Sequence, residues 1–299
     1  MKSINILRMR KAGAGSGGSG PVATTKIKIA VTSTQGSGFV AITDVFFYGA
    51  INDSSSLITP SGWTATATTT NGANAPSNAI DNNSSTSWQA TGSSGDLTID
   101  FGTTLNPAEI GIRTTSAIND SPYGFTISSW NGSSWVVQTT VTAGDMRWGS
   151  ASLTKYFPFG ADFTAAQAHS WRMLETAKQG TGWSTWNELE FRLTAGGADQ
   201  TSSATAWSNN ATGNAQYAFD NTTATSWQAG TGTLGSYLAN DLTTRGKVNE
   251  LVGTNSSVLG DSVSAGKMQY YNGRGSWLDS GAAWSATWAA SETKTFNVS

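Results

Sequence analysis

The 299-residue chain contains no cysteine, which excludes a disulfide framework and any metal site built on thiolates. Only 12% of its residues are charged, and a net charge of −2 offers no general attraction for nucleic acid. Its apolar runs all fall well short of the ~20 residues of a transmembrane helix, so we expect no membrane insertion. The apolar stretch near Met1 ends at Arg8 after four residues, too short for the core of a Sec signal peptide.

The residues that are abundant favour strands and turns. Gly, Ser, Thr, Asn and Ala dominate, Trp occurs 13 times, and runs of strong helix formers are scarce. Apolar and polar residues alternate in "KIKIAV", "DLTIDF" and "EIGIRT", the period of a strand with one buried face. Many short strands separated by turns predict an all-β fold, either an antiparallel sandwich or a jelly roll.

The beginning of the chain differs from the rest. Four basic residues precede a Gly/Ser linker, "AGAGSGGSG", and we group residues 1–24 as one N-terminal arm. Such a basic tip is either a solvated, mobile end or a peptide that docks on an acidic partner. The candidate anchoring residues are Lys2, Arg8, Arg10 and Lys11.

The remainder is an internal repeat. "AIDNNSSTSWQA" (79–90) and "AFDNTTATSWQA" (218–229) align without a gap. A second aligned pair contains Gln-Gly-x-Gly-aromatic and, five residues later, an acid, either Asp44 or Glu188. Two hairpins turning at Asn-Gly form a third pair. We therefore predict two similar domains, residues 25–168 and 169–299.

These motifs resemble the discoidin family, also called coagulation-factor type C or galactose-binding-like domains. The resemblance lies in "NAIDNNSSTSW", "LTIDFG", "SPYGFTISSWNGSSW" and "SWRMLETAKQGTGWSTWNELEF", and it implies two tandem jelly-roll β-sandwiches. The second copy, however, ends where the final strands of the family should begin, and a set of those strands precedes the first copy. We favour circular permutation; in the alternative, residues 55–194 form a canonical domain and residues 25–50 complete the second domain.

The resemblance also implies a structural calcium ion in the repeated loop. The corresponding ligands are Asp81 and Thr86 with an acid from a late strand in the first copy, and Asp220 and Thr225 in the second. Under permutation Asp44 serves the first loop and Glu188 the second, whereas the canonical arrangement exchanges these two acids. Hard oxygen ligands suit calcium. The alternative is an Asx-type turn without metal, in which the Asp accepts backbone N–H bonds.

Sugar binding requires aromatic faces and a few polar partners. Loop tryptophans Trp88 and Trp227 are expected in the core, with Trp186, and the hairpin residues Trp135 and Trp277 should be buried. The candidates expected to be exposed are Trp63, Trp130, Trp183 and Tyr271, with Arg113 and Arg274 as polar partners.

No nucleophile–base constellation, zinc spacing or phosphate loop is present, and the single histidine, His169, lies at the junction of the copies. We therefore expect no enzymatic activity. The tandem units also resemble modules of bacteriophage tail and surface proteins, which leave the cell by lysis. This implies a multi-copy virion-surface protein, in the tail or as a capsid decoration or fibre, that contacts other virion proteins through its arm and binds cell-surface glycans or neighbouring subunits. The alternatives are a bacterial extracellular carbohydrate-binding or adhesion module, and a purely structural virion component.

Overall fold

The computed structural model describes residues 22–36, 38–209, 214–230 and 234–299. Within these ranges the chain forms β-strands and short 3-10 helices but no α-helix, so the all-β prediction is confirmed. No helix in the described part is long and apolar enough to cross a membrane. The basic residues proposed for anchoring, Lys2, Arg8, Arg10 and Lys11, lie outside the described ranges.

Ten strands make up what we call the first half. They are β1 (Thr24–Thr34), β2 (Ala41–Ile42), β3 (Asp44–Tyr48), β4 (Thr64–Ala67), β5 (Trp88–Gln89), β6 (Gly95–Leu105), β7 (Glu109–Arg113), β8 (Pro122–Trp130), β9 (Trp135–Val141) and β10 (Thr154–Pro158).

Nine strands make up the second half. They are β11 (Ser170–Lys178), β12 (Ser184–Arg192), β13 (Trp207–Ser208), β14 (Trp227–Ala229), β15 (Tyr237–Asp241), β16 (Glu250–Asn255), β17 (Val263–Tyr271), β18 (Trp277–Ser285) and β19 (Thr293–Asn297). The 3-10 helices of both halves are Ser54–Ser56, Pro76–Ile80, Ile118–Asp120, Ala165–Gln167, Ser203–Thr205, Ala215–Ala218 and Leu259–Asp261.

The larger sheets of the two halves have equivalent strand orders, whereas the smaller sheet is continuous only in the second half. In the first half, one sheet has the order β4-β6-β1-β8-β9, a second has the order β10-β7-β3, and β2 pairs with β5. In the second half the orders are β13-β15-β11-β17-β18 and β14-β12-β16-β19. Every strand pair in these sheets is antiparallel, and no sheet contains strands from both halves.

Each half packs its larger sheet against its smaller one across an apolar core. Alternate residues of β1, Ile27, Ile29 and Val31, point into the first core, as the period of two predicts. Phe125 of β8 meets Phe157 of β10 edge to face, with ring centroids 5.3 Å apart, so the two sheets interlock. Burying each such ring stabilises the fold by about 1.5–3 kcal/mol.

The loop tryptophans belong to these cores, as the sequence predicts. Trp88 and Trp227 are at most 1% exposed, and Trp186 is fully buried. Trp186 packs edge to face on Trp284 of the facing sheet, with centroids 5.9 Å apart. Their size and position make these residues the central packing elements of each half.

Both Asn-Gly hairpins form where the repeat predicts them. In the first, Trp130 pairs with Trp135 across a loop in which the side-chain oxygen of Asn131 accepts the backbone N–H groups of Ser133 and Ser134. Gly132 has φ +100°, a conformation that suits glycine. This local hydrogen bonding explains why the chain reverses here.

The second hairpin, β17–β18, reaches into the first half. Tyr271 is only 4% exposed and belongs to the core of the first half, so the expectation that it is exposed is wrong. The indole N–H of Trp277 donates to the carbonyl of Asp145 at 2.6 Å. Trp135 and Trp277 are only partly buried, contrary to expectation, because both lie near hairpin tips.

Candidate functional site

In the first half, the repeated loop is closed by its own side chains. The Asp81 carboxylate accepts the Asn83 backbone N–H through Oδ1 at 2.9 Å and the Thr86 hydroxyl through Oδ2 at 2.7 Å. Asn82 has φ +54°, a left-handed conformation that asparagine tolerates. Asp81 and Thr86 are therefore brought together, in the hydrogen bonding of an Asx turn.

The late-strand acid of this half is Asp44, at the start of β3. Asp44 is 1% exposed and faces Arg113 of β7 in register, and the Arg113 guanidinium donates to its Oδ2. Burial raises the pKa of Asp44, while Arg113 opposes this rise and nearby Asp81 adds to it. A cation of the protein thus already neutralises the acid of this loop.

The second half repeats the loop but not the cation. The Thr225 hydroxyl donates to Asp220 Oδ2 at 2.7 Å, and the Thr222 backbone N–H donates to Asp220 Oδ1 at 3.2 Å. The same N–H donates to Glu188 Oε2 at 3.0 Å, so Glu188 and Asp220 approach the same point of the loop. Among the described residues, neither carboxylate forms an ion pair.

Glu188 is buried, with 7% of its surface exposed. This burial raises its pKa to about 8, and the neighbouring Asp220 contributes to the rise. A buried carboxylate with no cation beside it is costly when ionised. The residues of the second loop therefore fit a hard cation with oxygen ligands, whereas Arg113 makes those of the first loop a poor fit. No group of three or more His, Cys, Asp or Glu suited to a metal occurs within the described ranges.

The aromatic candidates for sugar binding each have their own structural neighbours. Trp63 packs on Phe101 in the first half, with centroids 4.8 Å apart, and Trp130 packs on Trp135 at 5.4 Å. The backbone N–H of Trp183, in the second half, donates to Asp261 at 2.9 Å. Trp63, Trp130 and Trp183 are partly exposed, so each has some free surface, and their recorded contacts are with different residues.

The two arginine candidates are occupied by structural contacts. Arg113 is paired with Asp44, as described above. Arg274, at the tip of the β17–β18 hairpin, donates from Nε to the carbonyl of Gln138 in the first half at 2.6 Å. Arg274 therefore links the halves, and both guanidinium groups already have structural partners.

A cleft of about 260 Å³ opens where the two halves meet. The first half contributes Tyr48 of β3, Glu109 of β7, Tyr156 of β10 and the turn Asn52–Ser54, and the second half contributes His169, Thr243 and Arg245. The sequence gives no motif for this cleft, because its residues come from segments up to 197 positions apart. The location of His169 at the junction of the repeats was the one available signal.

The floor of the cleft is a paired charge. Arg245 donates to Glu109 through both terminal nitrogens, at 2.8 and 2.6 Å, and its guanidinium lies 4.1 Å from the centre of the Tyr156 ring. The Asn52 backbone N–H gives Glu109 a further hydrogen bond at 2.9 Å. Because this pair is internally neutral, the floor presents polar groups without a net charge.

The walls combine aromatic rings with hydroxyl groups. The rings of Tyr48 and Tyr156 lie 6.1 Å apart. Burial raises the pKa of Tyr48 to about 12, with smaller contributions from Tyr156 and Glu109, so its hydroxyl remains protonated at neutral pH. Ser54 and Thr243 add further hydroxyls at the edge, and the Asp53 carboxylate lines the cleft beside them. Such a surface suits a small, neutral, polyhydroxylated ligand.

Beside the cleft, a buried ion pair joins the halves. Lys155 of β10 contacts both oxygens of Asp241 of β15, at 2.7 and 2.5 Å, and the Ser170 hydroxyl donates to Asp241 at 2.5 Å. Burial acts to raise the pKa of Asp241, but Lys155 and His169 together outweigh it and the pKa is lowered to about 2. Burial lowers the pKa of Lys155, and the charge of Asp241 opposes this change. These contacts tie β10 of the first half to β15 of the second and fix the relative position of the two halves.

No protein-family model, curated protein or solved structure matches the chain, so its resemblance to the discoidin family rests on its own sequence motifs.

Proposed function

We propose that the protein is a non-enzymatic component of a bacteriophage virion surface, in the tail or as a capsid decoration or fibre, that binds glycans. Its two halves are discoidin-like jelly-roll sandwiches in tandem, each circularly permuted. The N-terminal arm, with its basic residues, attaches the protein to other virion proteins, and many copies act together on the particle.

The acids near the two loops support the permuted arrangement. Asp44 lies by the Asp81 loop, whose charge influences it, and Glu188 bonds to the Asp220 loop. The canonical arrangement would exchange these partners between the halves. The equal strand orders of the two larger sheets agree with tandem copies of one unit.

The observation that carries the glycan proposal is the cleft between the halves. Its tyrosine rings offer apolar faces, while the protonated Tyr48 hydroxyl and the edge hydroxyls offer donors and acceptors to sugar hydroxyls. Its volume, about 260 Å³, suits one sugar residue rather than a long chain. The rest of a glycan would extend into solvent.

The proposal includes a structural calcium ion in the second half and none in the first. Glu188, Asp220 and Thr225 would hold it, with carbonyl oxygens of the loop completing the hard-oxygen set. When bound, the ion would compensate the buried Glu188 carboxylate and stiffen the loop.

The test begins with a glycan array, followed by calorimetric titration of the best glycan. Replacing Tyr48 by Phe and Thr243 by Ala removes two cleft hydroxyls and should weaken binding about 5- to 150-fold, since each lost hydrogen bond contributes about 0.5–1.5 kcal/mol. Trp130→Ala, in a separate aromatic pair, is the matched control and should bind normally.

Unchanged affinity in the cleft variant together with lost affinity in Trp130→Ala would place the site on the outer aromatic pair instead. Absence of any glycan binding by the intact protein would favour the purely structural virion component. Antibody labelling of purified virions tests the location separately.

A further inference from the structure

The two halves treat equivalent buried acids differently. On β3, Asp44 faces Arg113 across the β3–β7 pair, and on β12, Glu188 faces Thr254 across the β12–β16 pair. The two strand pairs correspond, since β3 lies beside β7 in the smaller sheet of the first half and β12 lies beside β16 in that of the second. An arginine in the first half thus corresponds to an uncharged threonine in the second.

Arg113 is fixed at this position by more than the ion pair. Its guanidinium lies 5.2 Å from the centre of the Phe46 ring, and only 24% of its side chain is exposed. Asp44, in turn, is 1% exposed and lies within the electrostatic influence of Asp81. The guanidinium therefore lies beside a buried acid that a second carboxylate would otherwise destabilise.

Thr254 plays no comparable role for Glu188. Its hydroxyl lies 2.7 Å from the hydroxyl of Thr293 on β19, and it carries no charge. The second loop therefore keeps two carboxylates, Glu188 and Asp220, without a cation from the described protein.

We propose that Arg113 is a built-in cation that takes the place of calcium in the first half, so that calcium acts on the second half alone. The guanidinium occupies Asp44 Oδ2, one of the two carboxylate oxygens, and its charge repels a divalent ion at the other, Oδ1, which has no hydrogen-bond partner among the described residues. The inference rests on the proposed function only for the calcium site of the second half. The experiment below distinguishes a failure of that site from a failure of the role of Arg113.

The experiment measures melting temperature with calcium and with chelator. Glu188→Gln removes the proposed site of the second half and serves as the background. In the Glu188→Gln variant, which keeps Arg113, calcium should not change the melting temperature. The second change, Arg113→Thr, introduces the residue found at the equivalent position of the second half. It should lower the melting temperature in chelator. Calcium at about 100 times its Kd should then raise the melting temperature by about 5 °C or more.

Two results would overturn the proposal: a calcium shift in Glu188→Gln that Asp44→Asn abolishes, or no calcium shift in the well-folded Arg113→Thr/Glu188→Gln protein. If that double variant fails to fold, Asp44→Asn is added to test whether Arg113 is the counter-cation of Asp44. Removing the unpaired acid should then restore folding. Persistent misfolding would refute that role.

The same measurements test the calcium site of the second half separately from the role of Arg113. A wild-type protein without any calcium response, combined with a calcium response created by Arg113→Thr, would contradict the calcium site of the second half and leave the role of Arg113 intact.

Discussion

Replacing Lys155 by Met should strongly destabilise the protein by leaving Asp241 charged and buried. The ammonium lies 2.7 and 2.5 Å from the two carboxylate oxygens, and the side chains are 3% and 0% exposed. After the change, Asp241 retains the Ser170 hydroxyl, with His169 Nδ1 at 3.7 Å. Removing one partner of a buried pair costs about 3–5 kcal/mol.

This loss should lower the melting temperature by about 10 °C, measured by scanning calorimetry and checked by urea unfolding. Lys267→Met is the matched control. Lys267 contacts Asp279 at 2.7 Å, but the side chains are 30% and 54% exposed, so the loss should be about 1 kcal/mol or less. Because the buried pair spans the junction, Lys155→Met should also separate the unfolding of the two halves. Equal, small effects of both substitutions would refute the reasoning.

Two further predictions concern the second half. In chelator, the free energy of unfolding should fall as pH rises from about 4.5 to 8. In the folded protein Glu188 has a pKa of about 8 and keeps its proton across this range, whereas in the unfolded chain it loses the proton near its usual pKa of 4.5. Glu188→Gln should flatten this dependence in melting curves taken across the range, and an unchanged slope would contradict the assignment. Gly253→Ala would bring a Cβ within 2.4 Å of Cζ3 of Trp186 and should cost about 1–3 kcal/mol in urea unfolding. Gly92→Ala, whose Cβ would meet nothing within 4 Å, should be nearly neutral by comparison.

The sequence predicts the elements of this fold well because its signals are local. Alternation gives β1, where Ile27 and Ile29 face the core, and Asn131-Gly132 gives the first hairpin. Trp88 and Trp227 could be assigned to the core because a large aromatic residue in a small-residue loop has few other stable positions. Each of these inferences depends on a few neighbouring residues.

The features that the sequence could not give depend on register and on contacts between the halves. Arg113 reaches Asp44 only because β3 and β7 pair in the observed register, 69 residues apart. Tyr271 reads as an exposed hairpin residue, yet it is buried because the hairpin docks on the first half. Glu109 and Arg245 meet across 136 positions without any motif. Long-range pairing of this kind leaves no periodic signal in one sequence.

The junction also has a consequence for the proposed function. Two halves joined only by a linker would move relative to each other, whereas the Lys155–Asp241 and Glu109–Arg245 pairs, with Arg274 on the Gln138 carbonyl, hold these halves in one orientation. A ligand in the cleft therefore meets a preformed site and does not have to order two domains on binding. On a particle carrying many copies, rigid sites at fixed spacing turn weak affinity for one sugar residue into strong overall attachment. Weakening the junction by Lys155→Met should therefore reduce glycan affinity even though Lys155 is not itself part of the cleft lining.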